Sequence, residues 1–298
     1  MARRILVTGG SGQLGTELLP RLSRLGTVMG PGRQALELTS EAAMAQIIAL
    51  QPTHVVHAAA AADVERCERE PSWAQAVNAE GTRRIAEACQ RLDAWLLYVS
   101  TDYVFDGTKS TPYVETDVPA PLNVYGRSKL GGEMQVQATA PRWAIVRTAW
   151  LYGHVGRNFV GTILQRLQAG ERLTVVTDQI GSPTYAADLA DGITHLVARE
   201  AVGIFHLTNS GSCSWFTFAQ AIAHAVGADP ARITPITSEM LGTRARRPAY
   251  SVLANAAWSA LGLPLLRPWE MALRDRLARA EPSPPAAYVS GTSPPAPP

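Results

Sequence analysis

The chain has 298 residues, 46% of them hydrophobic and 17% charged, with a formal net charge of +2. That length accommodates one large α/β unit with an appended lobe, or two domains, and the composition excludes a mostly disordered chain. The small net charge gives no electrostatic reason to propose a nucleic-acid or acidic-membrane partner, which needs a clustered basic surface, and a compact small molecule fits better.

In chain order, MARRILVTGG opens with three successive apolar residues before the glycines, too few for a signal peptide, and reads as a first strand, Arg3–Val7. No window reaches the roughly 18 apolar residues of a membrane helix, so a cytoplasmic protein is expected. The next strands fall at Thr27–Gly30, His54–Ala58, Trp95–Val99 and Ala144–Thr148. Between them, helical spacing of apolar residues marks Gln13–Leu25, Ser40–Leu50, Trp73–Arg91 and Gly126–Ala138. This alternation predicts a doubly wound parallel sheet of Rossmann type over 1–150. After Trp150, the strand-like LTVV and IFHLT alternate with helices near Asn158–Gln168, Ala187–Ala198 and Trp215–Val226. A smaller α/β substrate lobe over 151–280, interleaved with the first unit, is expected there. Residues 281–298 are rich in Pro, Ser and Ala and are expected to form a flexible tail without a catalytic role. Cys67, Cys89 and Cys213 are an odd number without CxxC spacing, which argues for reduced, buried thiols. The six histidines have no metal-ligand spacing and are expected to be structural.

TGGSGQLG follows the first strand and opens a helix, giving Gly9-x-x-Gly12-x-x-Gly15. Such glycines permit a tight turn and close approach of a pyrophosphate to a helix N-terminus, so a dinucleotide is expected here. After the second strand, Gly32 stands near the place where NAD-binding domains put an acid, and Arg33 follows it. A guanidinium without an opposing carboxylate favours the 2′-phosphate of NADPH, with NADH also open to use. Tyr125 and Lys129 in VYGRSK lie four apart on one helix face, where an ammonium lowers the phenol pKa toward the working range. That spacing predicts an acid/base pair. The fourth strand ends in YVSTDYVF, and Ser100 or Thr101 is placed there to hydrogen-bond a substrate oxygen.

TGGSGQLG, VVHAAA, STDYVFDG, NVYGRSK, VRTAWLYG and GSPTYAADLA, in this order, resemble the extended short-chain dehydrogenases, and within them the dTDP-4-dehydrorhamnose reductase family, over roughly residues 3–280. The resemblance implies an NADPH-dependent oxidoreductase of dTDP-rhamnose biosynthesis. Its reaction would reduce the 4-keto group of dTDP-6-deoxy-L-lyxo-4-hexulose to dTDP-L-rhamnose. By motif, Thr101 would polarise the ketone, Tyr125 would deliver the proton, and Lys129 would hold the nicotinamide ribose. Gly9, Gly12, Gln13, Leu14 and Gly15 would face the pyrophosphate, and Ala58, Ala59 and Ala60 the adenosine side. Asp102, Tyr103 and Val104 would lie beside the sugar, and Trp150 would be an apolar wall or core packing.

Some members of that family bridge a dimer through magnesium and several glutamates. Glu17 matches one such position, but Ala187 stands where another glutamate is expected. The expectation is therefore no metal site, with magnesium left open, and a monomer or weak homodimer. An epimerase or a 4,6-dehydratase is the nearest alternative; dehydratases usually carry Asp-Glu after the strand-end threonine, and here Tyr103 follows Asp102. A cofactor-sensing regulatory subunit would be expected to lose the tyrosine or the lysine, and this chain keeps both.

Overall fold

The computed structural model describes residues 2–278; the tail at 281–298 lies outside the described residues. The first half runs β1 (Arg3–Thr8), α1 (Gln13–Leu22), β2 (Gly26–Met29), α2 (Ala43–Leu50), β3 (His54–His57), α3 (Val64–Arg69) and α4 (Pro71–Gln75). A π-helical turn (Ala76–Glu80) leads to α5 (Gly81–Leu92), β4 (Trp95–Thr101), a 3-10 turn (Asp102–Val104), α6 (Val124–Thr139) and β5 (Arg142–Thr148). The second half runs β6 (Leu151–Tyr152), α7 (Phe159–Gln168), β7 (Leu173–Val176), β8 (Ile180–Gly181), β9 (Thr184–Tyr185), α8 (Ala186–Arg199) and β10 (Gly203–His206). It closes with β11 (Cys213–Ser214), α9 (Trp215–Ala225), β12 (Ile233–Ile236), α10 (Ser238–Leu241), α11 (Ala256–Ala260) and α12 (Trp269–Ala278).

Six parallel strands form one sheet in the order β10-β5-β4-β3-β1-β2. Along β1 the period of two sends Ile5 and Val7 to one face and Leu6 to the other. On the first face, Leu14 and Leu18 of α1 and Leu189, Ile193 and Leu196 of α8 pack against Ile5, Val7, Val56 and Leu97. On the second, Ile47, Ile85, Cys89 and Val136 cover Leu6, Val55, Leu96 and Ile145. Each such side chain contributes about 1.5–3 kcal/mol on full burial. The chain leaves β1 toward β2 on one side and returns to β3 on the other, so the loops after β1 and β3 diverge at a topological switch point, where open parallel sheets bind ligands.

A second apolar cluster joins α7, α9 and α12 through Ile163, Phe218, Ile222, Trp269 and Leu273. It sits beside the parallel pair β7 and β12. The LTVV strand belongs to this lobe. The IFHLT strand does not: β10 pairs with β5 and extends the central sheet. Alternation of side chains marks a strand but not the sheet it joins, and α8 supplies the crossover that returns the chain to the first unit. No helix among the described residues is long and apolar enough to cross a membrane.

Candidate active site

The loop after β1 is shaped for close approach. Gly9 has φ +72, the left-handed region, and a Cβ there would fall 2.8 Å from the Ala59 nitrogen. A Cβ on Gly15 would fall 2.1 Å from the Gly9 carbonyl oxygen. Gly12 begins α1 without a side-chain cap, which leaves the first-turn N–H groups for a ligand. Gln13 Oε1 is buried nearby with no partner among the described residues. These features fit a dinucleotide pyrophosphate.

Two cavities meet at this loop. One, of about 290 Å³, is bounded by Gly9, Gly12, Arg33, Ala58, Ala59 and Ala60. The other, of about 430 Å³, is bounded by Gln13, Leu14, Gly15, Thr101, Asp102, Tyr103, Tyr125, Lys129 and Trp150. Both touch Gly9, Gly12, Ala58 and Ala60, so they are halves of one cleft.

The expectation of a guanidinium without an opposing carboxylate is corrected in the smaller cavity. Arg33 Nε donates to Glu37 Oε2 at 2.6 Å, and Glu37 bounds the same space. The acid absent at Gly32 comes four residues after Arg33, and the hydrogen bond from Arg33 is the main effect holding its carboxyl below the usual range.

In the larger cavity α6 begins at an Asn123 cap, whose side chain accepts from the Gly126 N–H. The helix then presents Tyr125 and, one turn later, the buried Lys129. Tyr103 packs edge-on to Tyr125 at 5.9 Å between ring centroids. Thr101 faces the cavity from the end of β4 and bonds Asp102 Oδ1 at 3.2 Å. Ser100 also borders the cavity, but its hydroxyl is held by a short 2.5 Å bond to the buried Glu133, whereas the 3.2 Å bond from Thr101 to Asp102 is the longer one for a substrate oxygen to replace.

Burial pushes Tyr125 above its ordinary pKa, against a hydrogen bond from Thr101. The expected lowering by Lys129 is not found. Lys129 Nζ instead donates to the Val99 carbonyl at 2.7 Å and lies 4.0 Å over the Tyr98 ring. Burial brings Lys129 down to about 7, partly opposed by Glu133. Asp102 moves the other way, up to about 7 by burial, with the nearby Ser251 hydroxyl and the bond from Thr101 opposing. Its Oδ2 is buried without a partner among the described residues.

One sequence-derived substrate position needs correction. Val104 does not line the cleft: its fully buried side chain packs with Phe105, Tyr113 and Leu253. Trp150, at φ +47, borders the cavity while stacking on Trp215 at 3.5 Å between ring centroids. It also abuts Gly181, where a Cβ would fall 2.4 Å from Cε2, so it is both wall and packing.

Several residues of the site escaped the sequence reading. Asn78, in the π-helical turn, bonds both Ala61 N–H and C=O and donates to Ser128 Oγ. Trp215 and Arg157 border the larger cavity. Glu133 and Arg147 form a buried pair behind it. Of these, only Glu133 carries a sequence signal, its four-residue spacing from Lys129. At the magnesium position of the resemblance, Glu17 pairs with Arg21 at 2.6 Å, Arg21 reaches Asp191, and Ala187 is buried.

A glycine loop at the switch point of a parallel sheet, open to a tyrosine, a lysine and a strand-end threonine, defines a nucleotide-dependent oxidoreductase of the short-chain type. Within that class, the chain belongs to the family described as RmlD substrate binding domain, whose model matches residues 3–281. It is 46% identical to the dTDP-4-dehydrorhamnose reductase of Streptomyces griseus, over 91% of this chain and 92% of that protein. It is 40% identical to the dTDP-4-keto-6-deoxy-D-glucose reductase of Streptomyces niveus, over 92% of this chain and 96% of the relative. The crystal structure of the Bacillus anthracis dTDP-4-dehydrorhamnose reductase in complex with NADP matches with a TM-score of 0.88 and 37% identity, covering 93% of this chain and 99% of that one.

Proposed function

We propose that this protein reduces the 4-keto group of dTDP-4-dehydrorhamnose to dTDP-L-rhamnose with NADPH. The observation that carries the reading is the convergence of Thr101, Tyr125 and Lys129 on a cavity continuous with the glycine loop. When bound, the cofactor supplies the hydride. The chain's own groups do the rest. The first-turn N–H groups of α1 bind the pyrophosphate, and Arg33 and Glu37 share the adenosine ribose. Thr101 donates a hydrogen bond to the ketone oxygen, and Tyr125 gives that oxygen its proton as the carbonyl carbon is reduced. A raised phenol pKa favours this direction, because the donor must be protonated at neutral pH. Lys129 presents its ammonium to the nicotinamide ribose, and Asp102 and Tyr103 face the sugar. The absence of a second carboxylate after Asp102 supports reduction over water elimination.

The Streptomyces niveus relative supports a second reading, reduction of the 4-keto-6-deoxy-D-glucose nucleotide. The test is NADPH oxidation with each ketosugar in turn: the first taken directly from the dehydratase product of dTDP-glucose, the second after 3,5-epimerisation of that product. Products are identified by NMR. Turnover only after epimerisation, with a rhamnose product, supports the proposal; turnover only before it supports the second reading.

A further inference from the structure

Behind the cleft, Glu133 is fully buried one helical turn beyond Lys129 on α6. Arg147 of β5, also buried, grips it with two bonds, Nε to Oε1 at 2.9 Å and Nη2 to Oε2 at 2.7 Å. Ser100, next to Thr101 on β4, donates to the same carboxylate at 2.5 Å. Arg147 Nη1 has no partner among the described residues, and the guanidinium lies 5.2 Å over Phe105. A buried ion pair is often no better for stability than apolar residues of the same volume, so stability alone is weak ground for this one.

The groups that face Lys129 narrow what the pair can do. His57 on β3 and Tyr98 on β4 are held neutral by burial. Tyr125 on α6 is a protonated phenol. Asp102 borders the same cavity and is itself pushed up to about 7 by burial; Glu133 is the carboxylate on the same helix as Lys129, and its charge acts to keep Lys129 protonated against burial. We infer that Glu133 is a positioning residue of the reductase site: clamped by Arg147 and Ser100, its carboxylate supplies the negative charge that holds the Lys129 ammonium in the cleft. The inference rests on the proposed role of Lys129.

The test follows NADPH affinity, by fluorescence, and kcat/KM across pH for wild type, Glu133→Gln, Glu133→Asp, Lys129→Met and the double variant Glu133→Gln/Arg147→Met. The wild type should lose affinity and kcat/KM on a basic limb as Lys129 deprotonates. Glu133→Gln should move that limb down by about one pH unit, an approximately tenfold loss above it. Glu133→Asp keeps the charge and should restore the limb toward its wild-type place although it leaves a small void. The double variant leaves no charge unpaired, so it is the form expected to fold well, and its limb should also lie about one unit low. A limb at the wild-type position in the folded double variant overturns the inference. Because Asp102 titrates in the same range, Lys129→Met is also measured with Asp102→Asn; a limb in NADPH affinity that persists in that combined variant overturns the role of Lys129 itself, and the inference with it.

Discussion

Burial acts on Asp102 and Lys129 in opposite directions, bringing both to about 7 in one cleft. Asp102 starts from 3.8, so between that value and about 7 the folded chain holds a proton that the unfolded chain has released. The stability tied to this group is complete below 3.8 and is lost as pH rises through about 7. Lys129 starts from 10.5, so its stability contribution rises with pH between about 7 and 10.5. In Asp102→Asn the first dependence disappears and the second stays. Urea denaturation without cofactor should show the variant gaining on wild type by on the order of 2–3 kcal/mol from about pH 5 to about pH 8; a constant difference would contradict the buried, proton-holding carboxyl. At the other end of the cleft, Arg33→Ala should cut the ratio of NADPH to NADH specificity constants by about 10–100-fold, the worth of a charge-assisted hydrogen bond. Glu37→Gln should raise it by about threefold, because the competing carboxylate is only half-buried and is screened. Unchanged ratios in both would remove the pair from cofactor selection.

Among the elements, the strands and the glycine loop were legible because both are local: β1, β3, β4 and β5 follow apolar runs, and the loop follows glycine spacing. The expected helix Trp73–Arg91 was legible only in part. It is broken into α4, the π-helical turn and α5, since the turn serves Asn78, whose partners at Ala61 and Ser128 lie far away in sequence. A 3.6-residue period carries no trace of such a break. For the same reason the reading missed Trp215 and Arg147, which reach the site by tertiary packing alone. Asn78→Ala would orphan the Ala61 N–H and leave its C=O only the weak Cys67 thiol donor, so a loss of about 1–3 kcal/mol is expected in urea denaturation, together with weaker NADPH binding as the Ala58–Ala62 wall loosens. A loss below about 0.5 kcal/mol would show that solvent replaces those bonds.

For the whole molecule, the sheet sets two separate surfaces: the cleft at the carboxyl ends of its strands, and the α1–α8 face that carries Glu17. There Arg21 already neutralises Glu17 and bridges to Asp191, while Ala187 contributes no ligand. Sedimentation should therefore give the same assembly state with magnesium and with EDTA; a dimer that dissociates on chelation would contradict this. The cleft carries the central claim, that Tyr125 is the proton donor of a ketone reduction. The most direct measurement is single-turnover and steady-state NADPH oxidation by Tyr125→Phe, beside its NADPH dissociation constant. The ring still packs against Tyr103, so affinity should stay within about threefold of wild type. Turnover should fall by about 10²–10⁴-fold with the transferable proton gone. A variant that keeps more than about a tenth of wild-type turnover would contradict the assignment of Tyr125 as the acid.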